Sequence, residues 1–194
     1  QLSEPTEHKA KPQYEYQDLG VAVIANAIGL HENAIFKIGD SVKPGQLHLS
    51  EGFLELEFYR GAQLKISGPA AINIINEERV ELISGKVMTD VPKVAIGFTI
   101  DTPNSEIIDL GTEIGVEVTK DGLSQVHVFE GLVEVRNDLG YQQLIEKGQA
   151  INFSGETRSE WRDDIASKAK FAEFNTIDDL TGTAISQQHQ KWLS

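Results

Sequence analysis

The sequence contains no cysteine, which excludes disulfide staples, a thiolate nucleophile and Cys-ligated zinc together. That absence is compatible with any compartment, because a domain of this size can rest on its core alone in an oxidising space. Methionine occurs once, at Met88, and residue 1 is Gln, so the chain is expected to be a piece of a longer protein. No apolar run reaches the ~18 residues a membrane helix needs, so no span is expected within it, while a leader or anchor upstream stays compatible with the sequence. Basic residues are scarce: 17 Lys and Arg against 30 Asp and Glu leave a net charge of −13. Such a surface repels phosphate backbones and anionic lipid, which argues against nucleic acid as a partner of this domain. Aromatic residues make up only 7%, a thin basis for sugar-stacking platforms, with Tyr14, Tyr16, Tyr59 and Tyr141 as the candidates.

What is present suffices for a core: 40% of the 194 residues are hydrophobic, enough for one ordinary domain with tails. Residues 1–18 are polar, carry two prolines and read as a flexible lead-in. From Leu19 to about residue 155 short alternating apolar runs recur. In FLELEFY, Leu54, Leu56 and Phe58 share one face and Glu55 and Glu57 the other, the period-two pattern of a half-buried strand. Similar runs lie at Ala22–Ile24, Leu64–Ile66, Ile72–Ile74, Val80–Leu82, Phe98–Ile100, Ile114–Val118, Val126–Val128, Val133–Val135 and Ile151–Phe153. Gly and Pro punctuate them at 44–45, 60–62, 67–69, 121–122, 130–131 and 147–148, where turns need positive φ or a preset one. An all-β fold of stacked short strands follows, a solenoid, sandwich or barrel. ELISGKV and VFEGLVEV resemble each other, as do LIEKGQAINF and IGDSVKPGQLHL; this weak repeat favours coil-like strand turns over a hairpin meander. Beyond Gly155, Trp161, Ile165, Ala169 and Ala172 recur at helical spacing, and a second helix is expected from Ala184 to Leu193 behind Thr183 as N-cap. Residues 156–194 are therefore expected to be a small helical extension, leading toward a further C-terminal domain.

Motifs that carry chemistry are mostly missing. His8, His31, His48, His127 and His189 are dispersed without metal-ligand spacing, and His127 in VHVF reads as an outward-facing strand residue. No GxSxG elbow is present, and the glycines of LGTEIG fit neither a P-loop nor a dinucleotide fingerprint. Glu55 and Glu57, ~7 Å apart along one strand face, form a carboxylate pair at a distance that occurs in glycosidases, but acids are so abundant here that pairs arise freely. Asp163–Asp164 and Asp178–Asp179 are read as helix-start residues suiting the dipole. The expectation is a binding domain without catalytic residues, metal or cofactor.

The distinctive stretch is GFTIDTPNSEIIDLGTEIGVEVTKDGLSQVHVFEGLVEV, residues 97–135. Pro103 breaks the first strand. Asp109 can accept backbone amides ahead of it while Gly111 turns left-handed, making DLG a sharp corner. Gly115 interrupts an alternating strand, which suggests close approach by a neighbour. This stretch resembles the FecR domain, whose signature is similar to FTIDTPNSEIIDLGTEIGVEV followed by VHVFEGLVEV, with DLGTE intact at Asp109, Leu110, Gly111, Thr112 and Glu113. Ile114 stands where that pattern more often has an aromatic residue, which keeps a bulky apolar plug. The family motif extends to Gly115, Phe129 and Gly131, read as turn architecture. FLELEFYRGAQLKISGPAAINI and ISGKVMTDVPKVAIGF also resemble longer FecR-like regions of planctomycete-type proteins. The resemblance covers about residues 20–153. It implies the periplasmic part of a single-pass, membrane-anchored regulator of an extracytoplasmic-function sigma factor, engaging a protein partner or a cell-envelope ligand. The C-terminus ending HQKWLS resembles the linker before a lectin-like domain in planctomycete relatives, which implies, as the alternative, a carbohydrate-binding module acting with such a neighbour.

Overall fold

The computed structural model describes residues 20–153, apart from 33 and 138, and residues 161–175. The expected lead-in at 1–18 and the second helix at 184–193 lie outside the described residues. Fourteen strands form one continuous, open sheet: β1 (Ala22–Ile28), β2 (Ser41–Val42), β3 (Gly45–Leu49), β4 (Phe53–Phe58), β5 (Gln63–Asn76), β6 (Arg79–Asp90), β7 (Thr99–Thr102), β8 (Ser105–Asp109), β9 (Glu113–Val118), β10 (Ser124–Glu130), β11 (Leu132–Arg136), β12 (Gln142–Glu146), β13 (Gln149–Phe153) and β14 (Trp161–Ile165).

The long hairpin β5–β6 turns this sheet into two layers. Its register breaks between Ser67 and Ala71, where Gly68 and a cis Pro69 stand opposite Gly85. A Cβ on Gly85 would lie 2.6 Å from Ala70 Cβ, so only a bare α-carbon lets the two strands bend together. On one side of the bend, Gln63–Ser67 pairs with β4 and Lys86–Asp90 pairs with β9. On the other side, Ala70–Ile74 pairs with β3 and Arg79–Glu81 with β7. The first layer thus runs β2–β1–β4–β5–β6–β9–β10–β13–β14 and the second β3–β5–β6–β7–β8–β11–β12.

After β6 the chain lays hairpins alternately into the two layers: β7–β8 in the second, β9–β10 in the first, β11–β12 in the second, β13–β14 in the first. Gly111, Gly131 and Gly148, all at positive φ, sit at the crossings between hairpins. The weak sequence repeat around glycine therefore marks layer crossings. It does not mark a solenoid: adjacent strands pair antiparallel except β6 with β7, because each Gly or Pro-Asn turn returns the chain alongside itself before it crosses over. The all-β class is as expected, in its sandwich-like form.

Between the layers the alternating apolar positions form one core. Leu54, Leu56, Leu64, Ile66, Val116, Val126 and Ile151 from the first layer, and Ile72, Leu82, Ile100, Ile107, Val133 and Val135 from the second, are fully buried in the same cluster. Phe58 and Phe98 meet edge-to-face across it at 5.0 Å, a favoured aromatic geometry.

The C-terminal segment differs from its expected helix. Trp161–Ile165 pairs antiparallel with β13 over five residues, and Lys168–Phe174 forms a 3-10 helix kinked at Phe171. The free edge of β13 supplies backbone partners that outweigh a four-residue helical spacing. Asp163 and Asp164 accordingly lie within a strand; Asp164 accepts the amide of Ile165 at 2.8 Å.

Candidate functional site

The DLGTE residues form the crossing from β8 to β9. Asp109 closes β8 with its backbone amide on the Phe98 carbonyl (2.9 Å) and its own carbonyl on the Gly97 amide (2.8 Å). Its carboxylate is wholly buried. Oδ1 accepts the Gly111 amide at 2.8 Å, which fixes the turn, and Oδ2 accepts the Thr89 hydroxyl at 3.4 Å from the other layer. Gly111 takes φ +96°, a region costly for any residue bearing a Cβ. Burial pushes the Asp109 carboxyl up to about 6, against the opposing pull of the Thr112 and Thr89 hydroxyls and the Gly111 and Thr112 amides. The corner is tied on both sides, with the Val91 amide on the Thr112 carbonyl at 3.0 Å and the Leu110 amide on the Leu132 carbonyl at 3.2 Å.

The second half of the motif is in direct contact with the first. Gly131, at the crossing from β10 to β11, adopts φ +87°, and a Cβ there would meet Thr112 Cγ2 at 2.5 Å and the Gly111 carbonyl oxygen at 2.7 Å. The two glycine corners nest, so Asp109, Leu110, Gly111, Thr112 and Gly131 make one structural unit.

The remaining motif residues turn outward, to the opposite face of the first layer. There Gly115 forms the floor of a seat for Phe171: a Cβ on Gly115 would lie 2.7 Å from that ring. Phe129 flanks it, edge-on to Phe171 at 5.7 Å. Glu113 pairs with Lys168 at 3.0 Å, and Lys168 Nζ sits 5.3 Å from the centre of the Phe129 ring. Phe174 completes the cluster against Phe53 at 6.1 Å, with Ile28, Met88 and Ala166 packed around it. The close approach suggested for Gly115 is real, but it comes from an aromatic ring 56 positions later (171 − 115 = 56).

His127 corrects the sequence reading. Alternation does direct it away from the inter-layer core, but it is fully buried, because residues 166–174 lie over that face. Its Nδ1 accepts the Ser167 amide at 3.2 Å, and Phe171 stands edge-on to the imidazole at 5.4 Å. Burial holds its pKa down to about 4, and the neighbouring Lys170 and Lys86 push the same way against Asp164. The sequence reading also passed over Phe171 and Phe174; their i, i+3 spacing in KAKFAEF was the available signal.

Other candidates are scattered. Glu55 accepts a hydrogen bond from Asn26 Nδ2, and Glu57 is exposed on the same outer face of β4. Among the described residues no cluster of His, Asp and Glu has the arrangement to hold a metal ion. Tyr59 is exposed within 3.2 Å of the Ser41 hydroxyl, and Tyr141 is exposed at the start of β12; Tyr14 and Tyr16 lie outside the described residues. A groove of about 510 Å³ opens beside β3, lined by Leu30, Ile35, Phe36, Val42, Leu47 and Leu49. No helix among the described residues is long and apolar enough to cross a membrane.

This architecture is shared with two crystal structures of a candidate anti-sigma factor from Parabacteroides distasonis ATCC 8503, at TM-scores of 0.56 and 0.57 and 16% identity. Each match covers 66% of this chain and 62% or 63% of the other, so the chain spans somewhat less than two thirds of those proteins; at that identity the likeness concerns the fold. No curated protein matches the chain. Residues 50–134 match the family described as FecR protein. The match begins just before β4 and ends inside β11, so it includes the bent β5–β6 hairpin and both nested corners.

Proposed function

We propose that this chain is the extracytoplasmic sensing and interaction part of a FecR-type transmembrane regulator that controls an extracytoplasmic-function sigma factor. The observation that carries the reading is the FecR match over residues 50–134. Physical chemistry supports it in two ways. A net charge of −13 disfavours nucleic acid, so control of transcription would pass through protein contacts made elsewhere in the longer protein. The sheet is open, and its edge strand β12, paired among the described residues only with β11, carries exposed Leu144 just after exposed Tyr141, a surface suited to a protein or cell-envelope partner.

The experiment is done in the native host with the full-length protein. A reporter driven by the cognate sigma factor is measured with and without residues 20–175, alongside protease accessibility of this domain in intact spheroplasts. The reading expects a changed signal response and cleavage from outside. A domain protected from external protease, or a reporter indifferent to the deletion, would refute it.

A further inference from the structure

The segment that covers the outer face of β6, β9 and β10 is built differently from the rest of the domain. Residues 166–174 lie beyond the FecR match, which ends at residue 134. Phe171 and Phe174 belong to a small cluster separate from the inter-layer core. The strap is held by those two rings, by Lys86 Nζ on the Lys170 carbonyl (2.8 Å) and on Glu173 (3.1 Å), by Lys168 on Glu113, and by Lys170 on Gln125 (3.1 Å). These polar contacts are largely exposed and individually weak. One contact is of another kind: the Ser167 amide donates to Nδ1 of His127, a ring sealed from solvent by the strap itself.

We propose that the 166–174 strap is a proton-operated cover, closed over the β6–β9–β10 face while His127 is neutral and released when His127 gains a proton. The chemistry is local. Nδ1 must be unprotonated to accept the Ser167 amide, so protonation turns that contact into donor against donor. The imidazolium would then lie beneath Phe171 with Nε2 already sealed and without a hydrogen-bond partner among the described residues, a buried cation with no acceptor. The charges facing it oppose protonation on balance: Lys170 from the strap and Lys86 from β6 disfavour the cation, and Asp164 from β14 favours it. The other charges at the strap are engaged in pairs, Glu173 with Lys86 and Glu113 with Lys168. Opening removes Lys170 and the covering rings and admits water to both nitrogens. Proton binding and opening therefore drive one another.

The size of the effect follows from the two protonation equilibria. A pKa near the ordinary 6.5 when open and about 4 when closed makes the open-to-closed ratio rise about 20-fold between pH 7 and pH 5. What opens is an apolar face of Phe53, Met88 and Phe129 around the bare backbone of Gly115. The switch does not depend on the sensor reading.

Amide hydrogen exchange on the 194-residue chain tests it. After correction for intrinsic rates, exchange at Ser167–Phe174 should accelerate about 20-fold from pH 7 to pH 5, while β5 and β6 core amides near Ile72 and Leu82 should show no such acceleration. In His127→Gln, which keeps an acceptor and cannot take up a proton in this range, the strap amides should lose that acceleration. In Phe171→Ala, which leaves the strap loosened at every pH, the His127 imidazole followed by NMR should titrate close to the ordinary 6.5. Strap exchange that ignores pH in the unmodified chain, an acceleration that persists in His127→Gln, or a His127 still held near 4 in Phe171→Ala would each overturn the proposal.

Discussion

Replacing Asp109 by asparagine tests the corner at its most unusual point. Asparagine keeps the oxygen that accepts the Gly111 amide and presents an amino group to the Thr89 hydroxyl, which can turn to accept it. The shape of the corner is preserved and its charge removed. In the unfolded chain the carboxyl titrates near 3.8, and in the folded domain burial raises it to about 6. A group raised on folding contributes stability that is complete below pH 3.8 and is lost as pH climbs through 6. The difference corresponds to about 3 kcal/mol. The parent chain should therefore lose about 3 kcal/mol relative to Asp109→Asn between pH 3.5 and pH 7. Urea denaturation of both proteins at matched pH values gives the difference directly, and titration of His127, common to both, cancels. A stability difference that stays flat across the range, or grows in the parent's favour as pH rises, would show that the buried carboxylate does not carry this burden.

Two further substitutions probe the two halves of the motif. Gly111→Val places a β-branched residue at φ +96° and should destabilise the whole domain by about 3 kcal/mol, read as a lower urea midpoint; an unchanged midpoint would mean that the corner does not need a left-handed residue. Gly115→Val drives a side chain into the Phe171 ring, which stands 2.7 Å from the Cβ position, so the strap should lift while the inter-layer core stays folded. The loss is bounded by the burial of two phenylalanine rings, about 1.5–3 kcal/mol each; exchange protection should vanish at 168–174 and persist in β5 and β6, and a wholly unfolded chain would count against a separable strap.

The architecture was legible wherever a local rule decides it. Alternation in FLELEFY, LKI and VHV placed those strands, because a strand with one buried face must repeat with period two. The DLG corner was legible for the same reason: an Asp whose carboxylate accepts the amide of a glycine two residues later closes a turn without help from the rest of the chain. The layer crossings were visible as glycines but not as crossings, since a positive φ permits a sharp bend and does not specify where the next strand pairs. Trp161–Ile165 was misread because helical spacing over four residues is weak beside an unpaired strand edge that lies close only in the folded chain.

Composition and pattern alone determined that this is an acidic, disulfide-free, all-β domain with a corner of FecR type at 109–113. Only the tertiary structure decided that Gly131 exists to let a second corner lean on the first, that Gly115 is the floor of a seat for Phe171, and that His127 is a buried neutral ring and not a solvated one. The reason is distance along the chain. A residue's own neighbours fix its secondary structure, whereas its burial, and with it the acidity of Asp109 and His127, is set by segments that arrive from 20 to 40 positions away.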